Sequence, residues 1–307
     1  MSRRLIYLLL SLVVVAWGGA FVAIKIVVRH ASALSAAELR FVLTTLGLLV
    51  VMAVVRPPLR RIDRGDWPRL LLIALCGVGI YHVSLNYGEH FISSNVAALI
   101  VASMPVMVAV LSGIVLKERV DATKWLGIGI ALSGVILLVA RGTPGADLSV
   151  RSVGGAAVTA LAPLSWAVYT VASKPLVAKY GALPMTTLAM GVGTLLLSPV
   201  ALPKTLADVG GLTAGDWAWI AFLAFACSVY AYSVWFYALR VLPATQVAAW
   251  VYLVPPISLV WAAVVLGEPL TIFVAVGGAL VVAGVILTER VAPRAAARRE
   301  ADERAAA

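Results

Sequence analysis

Charged residues are scarce in this chain, and their scarcity excludes a soluble protein. Asp, Glu, Lys and Arg together make up 12 % of its 307 residues, whereas a soluble domain averages about 25 %. Hydrophobic residues make up 62 % and the mean hydropathy is +1.02, against about 45 to 50 % apolar residues in a soluble domain. We therefore expect an integral membrane protein, because lipid buries this much apolar surface.

The chain also lacks the patterns of a disulfide framework, a metal site or a catalytic centre. Its two cysteines, Cys76 and Cys227, lie within apolar segments and are interpreted as small packing residues. There is no Walker loop, no zinc-ligand spacing and no nucleophile paired with a base in the sequence. We expect no cofactor, no metal and no enzymatic activity.

Long apolar segments are what the chain has in quantity. Each runs for about 20 residues, the length at which a helix crosses the hydrocarbon core of a bilayer. This length excludes an outer-membrane barrel, whose strands have about ten alternating residues. About ten spans are predicted, at residues 5–28, 35–55, 68–87, 93–116, 123–140, 152–172, 182–202, 216–239, 243–266 and 271–288.

Lysine and arginine are unevenly distributed over the loops between these spans. With the N-terminus in the cytoplasm, about 18 of them fall on the cytoplasmic side and about 4 on the outer side. Because positively charged loops remain in the cytoplasm, both termini are predicted to be cytoplasmic. The asymmetry accounts for the net charge of +10, so the expected partners are the lipid bilayer and a small-molecule substrate, and no nucleic acid.

One stretch of the chain occurs twice. Residues 93–118 align without a gap with residues 243–268, so that Pro105 meets Pro255 and Glu118 meets Glu268. A fixed period of about 150 residues indicates internal duplication. Because five spans per copy is an odd number, the second copy must enter the bilayer from the opposite side. The repeats are therefore predicted to be inverted, as in secondary transporters with a substrate site near the midplane.

The predicted fold is an all-α integral membrane protein of ten transmembrane helices. The first five-helix repeat is expected at residues 1–145 and the second, inverted repeat at residues 146–290. A basic cytoplasmic tail, expected to be disordered, follows at residues 291–307. Ridges of small residues on helices five and ten permit close packing, so both a monomer and a homodimer fit the sequence.

Several positions carry a resemblance to a known family. They are Trp17-Gly18 with Phe21, Arg40-Phe41, and the spacing from Pro105 to Glu118 repeated from Pro255 to Glu268, followed by Gly127 and Gly134 or Gly277 and Gly284. In their order and duplication they resemble the drug/metabolite transporter superfamily, in its ten-helix EamA-type branch. The resemblance implies two five-helix bundles around a central cavity, exporting small metabolites such as amino acids. It does not identify the solute.

One departure bears on the class of substrate. The four-helix multidrug relatives place a proton-coupling glutamate in helix one, where this chain has Trp17 and Lys25. No Asp or Glu lies deep in any predicted span, and an uncompensated cation in the membrane costs several kcal/mol. We therefore favour facilitated or exchange transport of amino acids, including apolar and aromatic ones, across a bacterial inner membrane. A proton-coupled exporter of lipophilic cations is the alternative.

Deep aromatic and polar side chains form the predicted substrate site. Trp17 and Trp166 lie at corresponding depths in the first helix of each repeat, too deep for the interfacial aromatic belt. Aromatic walls with a few polar groups are typical of small-molecule sites, although bundle packing explains the same residues. The residues predicted to bind substrate are Trp17, Tyr81, His82, Met104, Trp166, Trp250 and Tyr252.

Prolines and charges complete the predicted machinery. Pro105 and the pair Pro255 and Pro256 remove backbone donors in mid-span, and matched breaks in two repeats point to a binding region. They are interpreted as static bends or as gating hinges for helices three, four, eight and nine. The charges assigned to structural or outer-mouth roles are Lys25, Glu38, Arg40, Glu118 and Glu268. Arg40 is interpreted as a clamp on helix two, or, like Lys25, as a receptor for a substrate carboxylate at the outer mouth.

Overall fold

A computed structural model describes residues 3–89, 100–118, 121–142, 153–267, 272–273 and 275–287. Over these ranges the chain is helical and contains no β-strand. Six helical stretches are long and apolar enough to cross a membrane: Arg3–Ile24, Ala33–Val55, Arg64–Leu85, Ala182–Gly211, Ala214–Val241 and Ala244–Val265. The predicted tail and Glu268 lie outside the described residues.

The helices are numbered in chain order. Their bounds are α1 Arg3–Val27, α2 Ala33–Val55, α3 Trp67–Ala74, α4 Tyr81–Glu89, α5 Met104–Val115, α6 Ala122–Gly142, α7 Val153–Tyr180, α8 Ala182–Asp208, α9 Ala214–Ala224, α10 Ala231–Val241, α11 Ala244–Ala249, α12 Val254–Leu266 and α13 Ala275–Leu287. Local chemistry fixes some of the starts. Thr213 and Asp216 form a reciprocal capping box at α9, which satisfies amide groups that have no partner within the helix.

Two of the long helices contain a π-helical turn. Leu75–Ile80 joins α3 to α4, and Phe225–Tyr230 joins α9 to α10, so the two turns are about 150 residues apart, the period of the sequence repeat. A π turn adds one residue to a helical turn and disrupts the regular pattern of backbone hydrogen bonds. Both turns are therefore places where side chains from elsewhere can reach a backbone carbonyl group.

Each π turn is bonded by side chains from the other half of the chain. The Ser165 hydroxyl donates to the Cys76 carbonyl oxygen at 2.6 Å. The Cys227 carbonyl oxygen accepts from Trp17 Nε1 at 2.9 Å and from Arg40 Nη2 at 3.4 Å. These bonds couple the two halves of the chain.

The repeated stretch is interrupted next to its prolines in both copies. In the first copy a turn at residues 102–103 precedes α5, where Pro105 follows Met104. In the second copy a 3₁₀ turn at Trp250–Leu253 precedes α12, which begins with Val254 and continues with Pro255 and Pro256. Proline is accommodated in the first turn of a helix because its missing N–H would have no partner there. The helix breaks thus occur at the positions that the prolines indicate.

The main core lies at the centre of the bundle and contains residues from both halves. Leu10 and Phe41 come from the first half, and Trp235 and Phe236 from the second; all four are fully buried. The two cysteines are free and buried, as small packing residues are. Such a shared core holds α1, α2, α7, α8 and α10 around a common interior.

Candidate functional site

A cavity of about 70 Å³ lies between the helix breaks. One water molecule requires about 10 to 15 Å³ measured in this way, so the cavity is several times that size. Its walls come from α1, α2, α4, α7 and α10 and from the interruptions before Pro105 and Pro255. The lining residues are Trp17, Ala20, Phe21, Ile24, Arg40, Tyr81, His82, Leu85, Val101, Met104, Trp166, Tyr232, Val251 and Val254.

Helical spacing and the π turns place several of these residues at the cavity. Trp17, Phe21 and Ile24 follow one another at helical spacing, so they lie on one face of α1. Tyr81 and Tyr232 both follow a π turn within two residues. The cavity therefore extends along α1 from its middle toward the end of the bundle where α1 ends and α2 begins.

Trp166 is the centre of the aromatic wall. Its ring centroid lies 5.5 Å from that of Trp17, nearly perpendicular to it at 86°. Tyr81 lies at 5.1 Å and Tyr232 at 5.5 Å from the same ring, both tilted. Tilted and edge-to-face pairs are the favoured arrangements of aromatic rings. The wall is consequently a close-packed surface that offers ring faces and edges to a ligand.

Arg40 provides the positive charge of the cavity wall. It is 6 % exposed, its Nε donates to Ser228 Oγ at 2.9 Å, and its guanidinium carbon lies 5.3 Å from the centroid of the Phe41 ring. In the part of the chain that the structure describes, Arg40 forms no ion pair with a carboxylate. The cavity therefore combines aromatic walls with a buried cation held by neutral groups.

Two polar side-chain atoms of the wall have no hydrogen-bond partner among the described residues. They are His82 Nε2 and Trp166 Nε1, both buried. The His82 ring lies edge-on to Phe41 at 4.7 Å and to Tyr81 at 4.9 Å between centroids. A buried polar atom without a hydrogen bond costs about 1 to 3 kcal/mol. A ligand with donor and acceptor groups would recover part of that cost.

Five of the seven residues predicted to bind substrate line this cavity: Trp17, Tyr81, His82, Met104 and Trp166. Trp250 and Tyr252 do not. In a 3₁₀ turn residues three apart lie on the same side, so Val251 and Val254 line the cavity in their place. The Trp250 ring instead lies 5.8 Å from that of Tyr7, and Tyr252 packs in a separate core cluster.

Arg40 is interpreted from the sequence as a clamp on helix two or as a receptor at the outer mouth. The structure places it in the cavity wall, where it bonds the π turn Phe225–Tyr230. Hydropathy located it near a span end, and the cavity extends toward that same end. Tyr232 adds an aromatic ring to the wall, and it aligns with His82 at the repeat period. Val254 lies beside Pro255 in the second helix break, which the prolines point to as part of a binding region. Val251 has no signal in the sequence beyond its apolar character.

Of the remaining predicted charges, Glu38 and Glu118 do not line the cavity. Glu38 is 2 % exposed, and one of its oxygens accepts from the Ser198 hydroxyl at 2.6 Å. Lys25 belongs to α1, but its side chain lies outside the described part of the structure, as does Glu268. Glu118 accepts from Lys174 Nζ at 2.6 Å and from the Ala244 amide at 2.9 Å, so it joins α7 to the start of α11.

Comparison with known proteins gives consistent results. The model of the EamA-like transporter family matches residues 4–140 and again residues 153–290. An uncharacterized transporter of Archaeoglobus fulgidus is 32 % identical over 288 residues, covering 92 % of this chain and 98 % of that protein. A probable terminal-alkyne amino-acid exporter of Streptantibioticus cattleyicolor is 32 % identical over 283 residues, with 92 % of each chain covered. One solved crystal structure shares the fold, with a TM-score of 0.78 over 95 % of this chain and 99 % of that chain at 19 % identity.

Proposed function

The chain belongs to the EamA-like transporter family and is a multi-pass membrane transporter, and from this premise we propose that it exports amino acids with apolar or aromatic side chains. Transport is secondary and proceeds through the cavity around Trp166. The predicted substrate-binding residues Trp17, Tyr81, His82, Met104 and Trp166 contact the solute there. Trp250 and Tyr252 do not line the cavity and are not assigned a contact with the solute.

The composition of the cavity carries this proposal. Its lining contains five aromatic side chains, Trp17, Phe21, Tyr81, Trp166 and Tyr232, together with Arg40. Among the described residues that line it there is neither Asp nor Glu. An apolar wall with few polar groups suits a small amphipathic solute. A lipophilic cation would meet the like charge of Arg40 without a compensating carboxylate, which disfavours the multidrug alternative. One relative is a probable exporter of an amino acid.

The architecture that we propose for this activity is ten spans in two inverted repeats, residues 1–145 and 146–290, with both termini in the cytoplasm of a bacterial cell. Support comes from the two family-model matches and from the π turns and helix breaks that recur about 150 residues apart. Alternating access then consists of the two halves rocking about the cavity, with the breaks at Pro105 and Pro255 as hinges.

Flux measurements with the purified protein in vesicles test the proposal. We expect transport of phenylalanine and leucine that continues when the proton gradient is collapsed, and no transport of a lipophilic dye cation. Transport of the cation alone would favour the multidrug alternative, and flux that stops with the proton gradient would make transport proton-coupled. Absence of flux for every solute would exclude both transport functions.

Substitutions at the cavity locate the pathway. Trp166→Ala and His82→Ala should each lower phenylalanine flux, because they remove contacts at the centre of the wall. Trp217→Ala is the matched control, since Trp217 is exposed and does not line the cavity. Unchanged flux and unchanged thermal stabilisation by substrate in both cavity variants would exclude this cavity as the transport site.

A further inference from the structure

Arg40 is held in the cavity wall by two neutral acceptors. Its Nε donates to Ser228 Oγ at 2.9 Å, and its Nη2 donates to the Cys227 carbonyl oxygen at 3.4 Å. Both acceptors belong to the π turn Phe225–Tyr230. The Ser228 hydroxyl in turn donates to the Leu223 carbonyl oxygen at 2.9 Å, so its hydrogen points away from the arginine. The guanidinium is thereby fixed in orientation without being neutralised.

The charge of Arg40 has no counter-ion in the described part of the chain. The nearest acid in sequence, Glu38, is bonded to the Ser198 hydroxyl, and Arg40 appears in none of the ion pairs of the described residues. A buried cation without a counter-ion is costly, and the guanidinium has more N–H donors than its two hydrogen bonds use. Nη1 has no hydrogen-bond partner among these residues.

A carboxylate matches the guanidinium of Arg40 in charge and in hydrogen bonding. Its two oxygens match the fork of a guanidinium, and such charge-assisted bonds are among the strongest in proteins. An ammonium group meets no acid among the lining residues that the structure describes. The faces of the aromatic rings attract it there, which is a weaker interaction. The cavity consequently interacts more strongly with the carboxylate end of an amino acid than with its ammonium end.

We propose that Arg40 is the specificity-determining residue of the transport site and that it selects solutes by their carboxylate group. The proposal rests on the transport function proposed above and adds which end of the solute is recognised. Small aromatic or apolar carboxylates are bound whether or not they carry an ammonium group. The corresponding amines and amides are rejected.

Four ligands of one shape provide the test: phenylalanine, 3-phenylpropanoate, phenethylamine and phenylalaninamide. Binding is measured by thermal stabilisation of the purified protein, and flux is measured in vesicles. In the unchanged protein the two carboxylates should bind about tenfold or more tightly than the amine and the amide, the factor expected for hydrogen bonds to a charged group. Equal binding of all four ligands would overturn the proposal.

Variants separate recognition from folding. Arg40→Gln should weaken both carboxylates about tenfold or more and leave the amine unchanged, whereas Arg40→Lys should retain part of the preference because the charge remains. Ser228→Ala removes the acceptor of Nε and should lower the preference with the arginine still present, which keeps the test available if Arg40→Gln does not fold. Arg240→Gln, an exposed arginine on α10, is the control and should change nothing.

The outcomes distinguish the two proposals. Phenylalanine flux with a carboxylate preference that survives Arg40→Gln and Ser228→Ala would overturn the role of Arg40 and leave the transport function intact. Equal losses for carboxylates and amine in these variants would assign Arg40 to packing alone, and would overturn its selective role. Binding of carboxylates that depends on Arg40, without flux of any amino acid, would overturn the transport function instead.

Discussion

At the scale of single residues, Trp17 both lines the cavity and donates a hydrogen bond, and one substitution separates these two roles. Its ring belongs to the cavity wall, and its Nε1 donates to the Cys227 carbonyl oxygen at 2.9 Å in the turn that also bonds Arg40. Trp17→Phe keeps an aromatic ring and removes the N–H. We expect the free energy of unfolding to fall by about 1 kcal/mol. We also expect a higher KM for phenylalanine, because the Cys227 carbonyl group that accepts from Arg40 would be held less firmly.

Trp261 provides the matched control for this prediction. Its Nε1 donates to the Val15 carbonyl oxygen at 3.0 Å, and it does not line the cavity. Trp261→Phe should therefore lower stability to a similar extent and leave KM unchanged. If the two variants changed KM equally, the coupling between Trp17 and the transport site would be excluded.

Single residues also show which buried positions a hydropathy pattern can predict and which it cannot. Trp17 and Trp166 could be assigned to the interior because they lie far from every span end. Arg40 could not, because a polar residue near a span end is equally compatible with the lipid interface, and only the packing of α2 against the second π turn buries it. Trp250 was expected in the wall on the same criterion of depth, and the twist of a 3₁₀ turn directs it elsewhere.

At the scale of elements, α6 and α13 are in contact through glycine. A Cβ atom on Gly134 would lie 2.7 Å from the Gly277 carbonyl oxygen and 2.8 Å from the Val281 nitrogen, and backbone atoms of a neighbouring helix cannot move aside as a side chain can. Gly134→Ala should lower the free energy of unfolding by about 1 to 3 kcal/mol. Thermal unfolding in detergent measures the change.

Gly129 lies on the same helix and makes the comparison specific. A Cβ atom there meets nothing within 4 Å, so Gly129→Ala should leave thermal stability unchanged or slightly raise it, since alanine is the better helix former. Equal destabilisation by both variants would mean that the glycines matter for helix flexibility and not for close packing. The small residues predicted to let helices approach thus serve a contact within the chain.

The elements divide into those that a sequence pattern reveals and those that it does not. Pro105, Pro255 and Pro256 reveal the helix interruptions because proline acts on the backbone locally. The π turns have no such marker, since one extra residue in a turn changes neither apolar content nor length appreciably. They are stabilised by distant donors, Ser165 for one turn and Trp17 with Arg40 for the other, and those pairings depend on tertiary structure.

At the scale of the whole molecule, the internal repeat is regular in its backbone and irregular in its chemistry. Both halves have a π turn and a break about 150 residues apart. Yet Arg40 aligns with no charge in the second half, and His82 aligns with Tyr232. The backbone features thus recur in the two halves, whereas the side chains that differ between the halves give the cavity its polarity.

A polar contact that joins the two halves provides a test of their movement. Glu118, from the first half, accepts from Lys174 Nζ at 2.6 Å, from the Ala244 amide at 2.9 Å and from the Thr245 hydroxyl at 3.4 Å. Lys174 also donates to the Leu242 carbonyl oxygen at 2.9 Å. If rocking of the halves opens a path to the cavity, this contact must separate once in each cycle.

Cross-linking should therefore stop transport reversibly. In a protein with Glu118→Cys and Thr245→Cys, a bifunctional methanethiosulfonate reagent that bridges the two thiols should reduce phenylalanine flux to the level of protein-free vesicles, and reduction should restore it. The native Cys76 and Cys227 are buried, which limits competing reactions. Lys204→Cys with Asp208→Cys, a pair on the single helix α8, is the control and should transport normally when cross-linked. Undiminished flux in the fully cross-linked first protein would exclude separation at Glu118 as a step of the cycle.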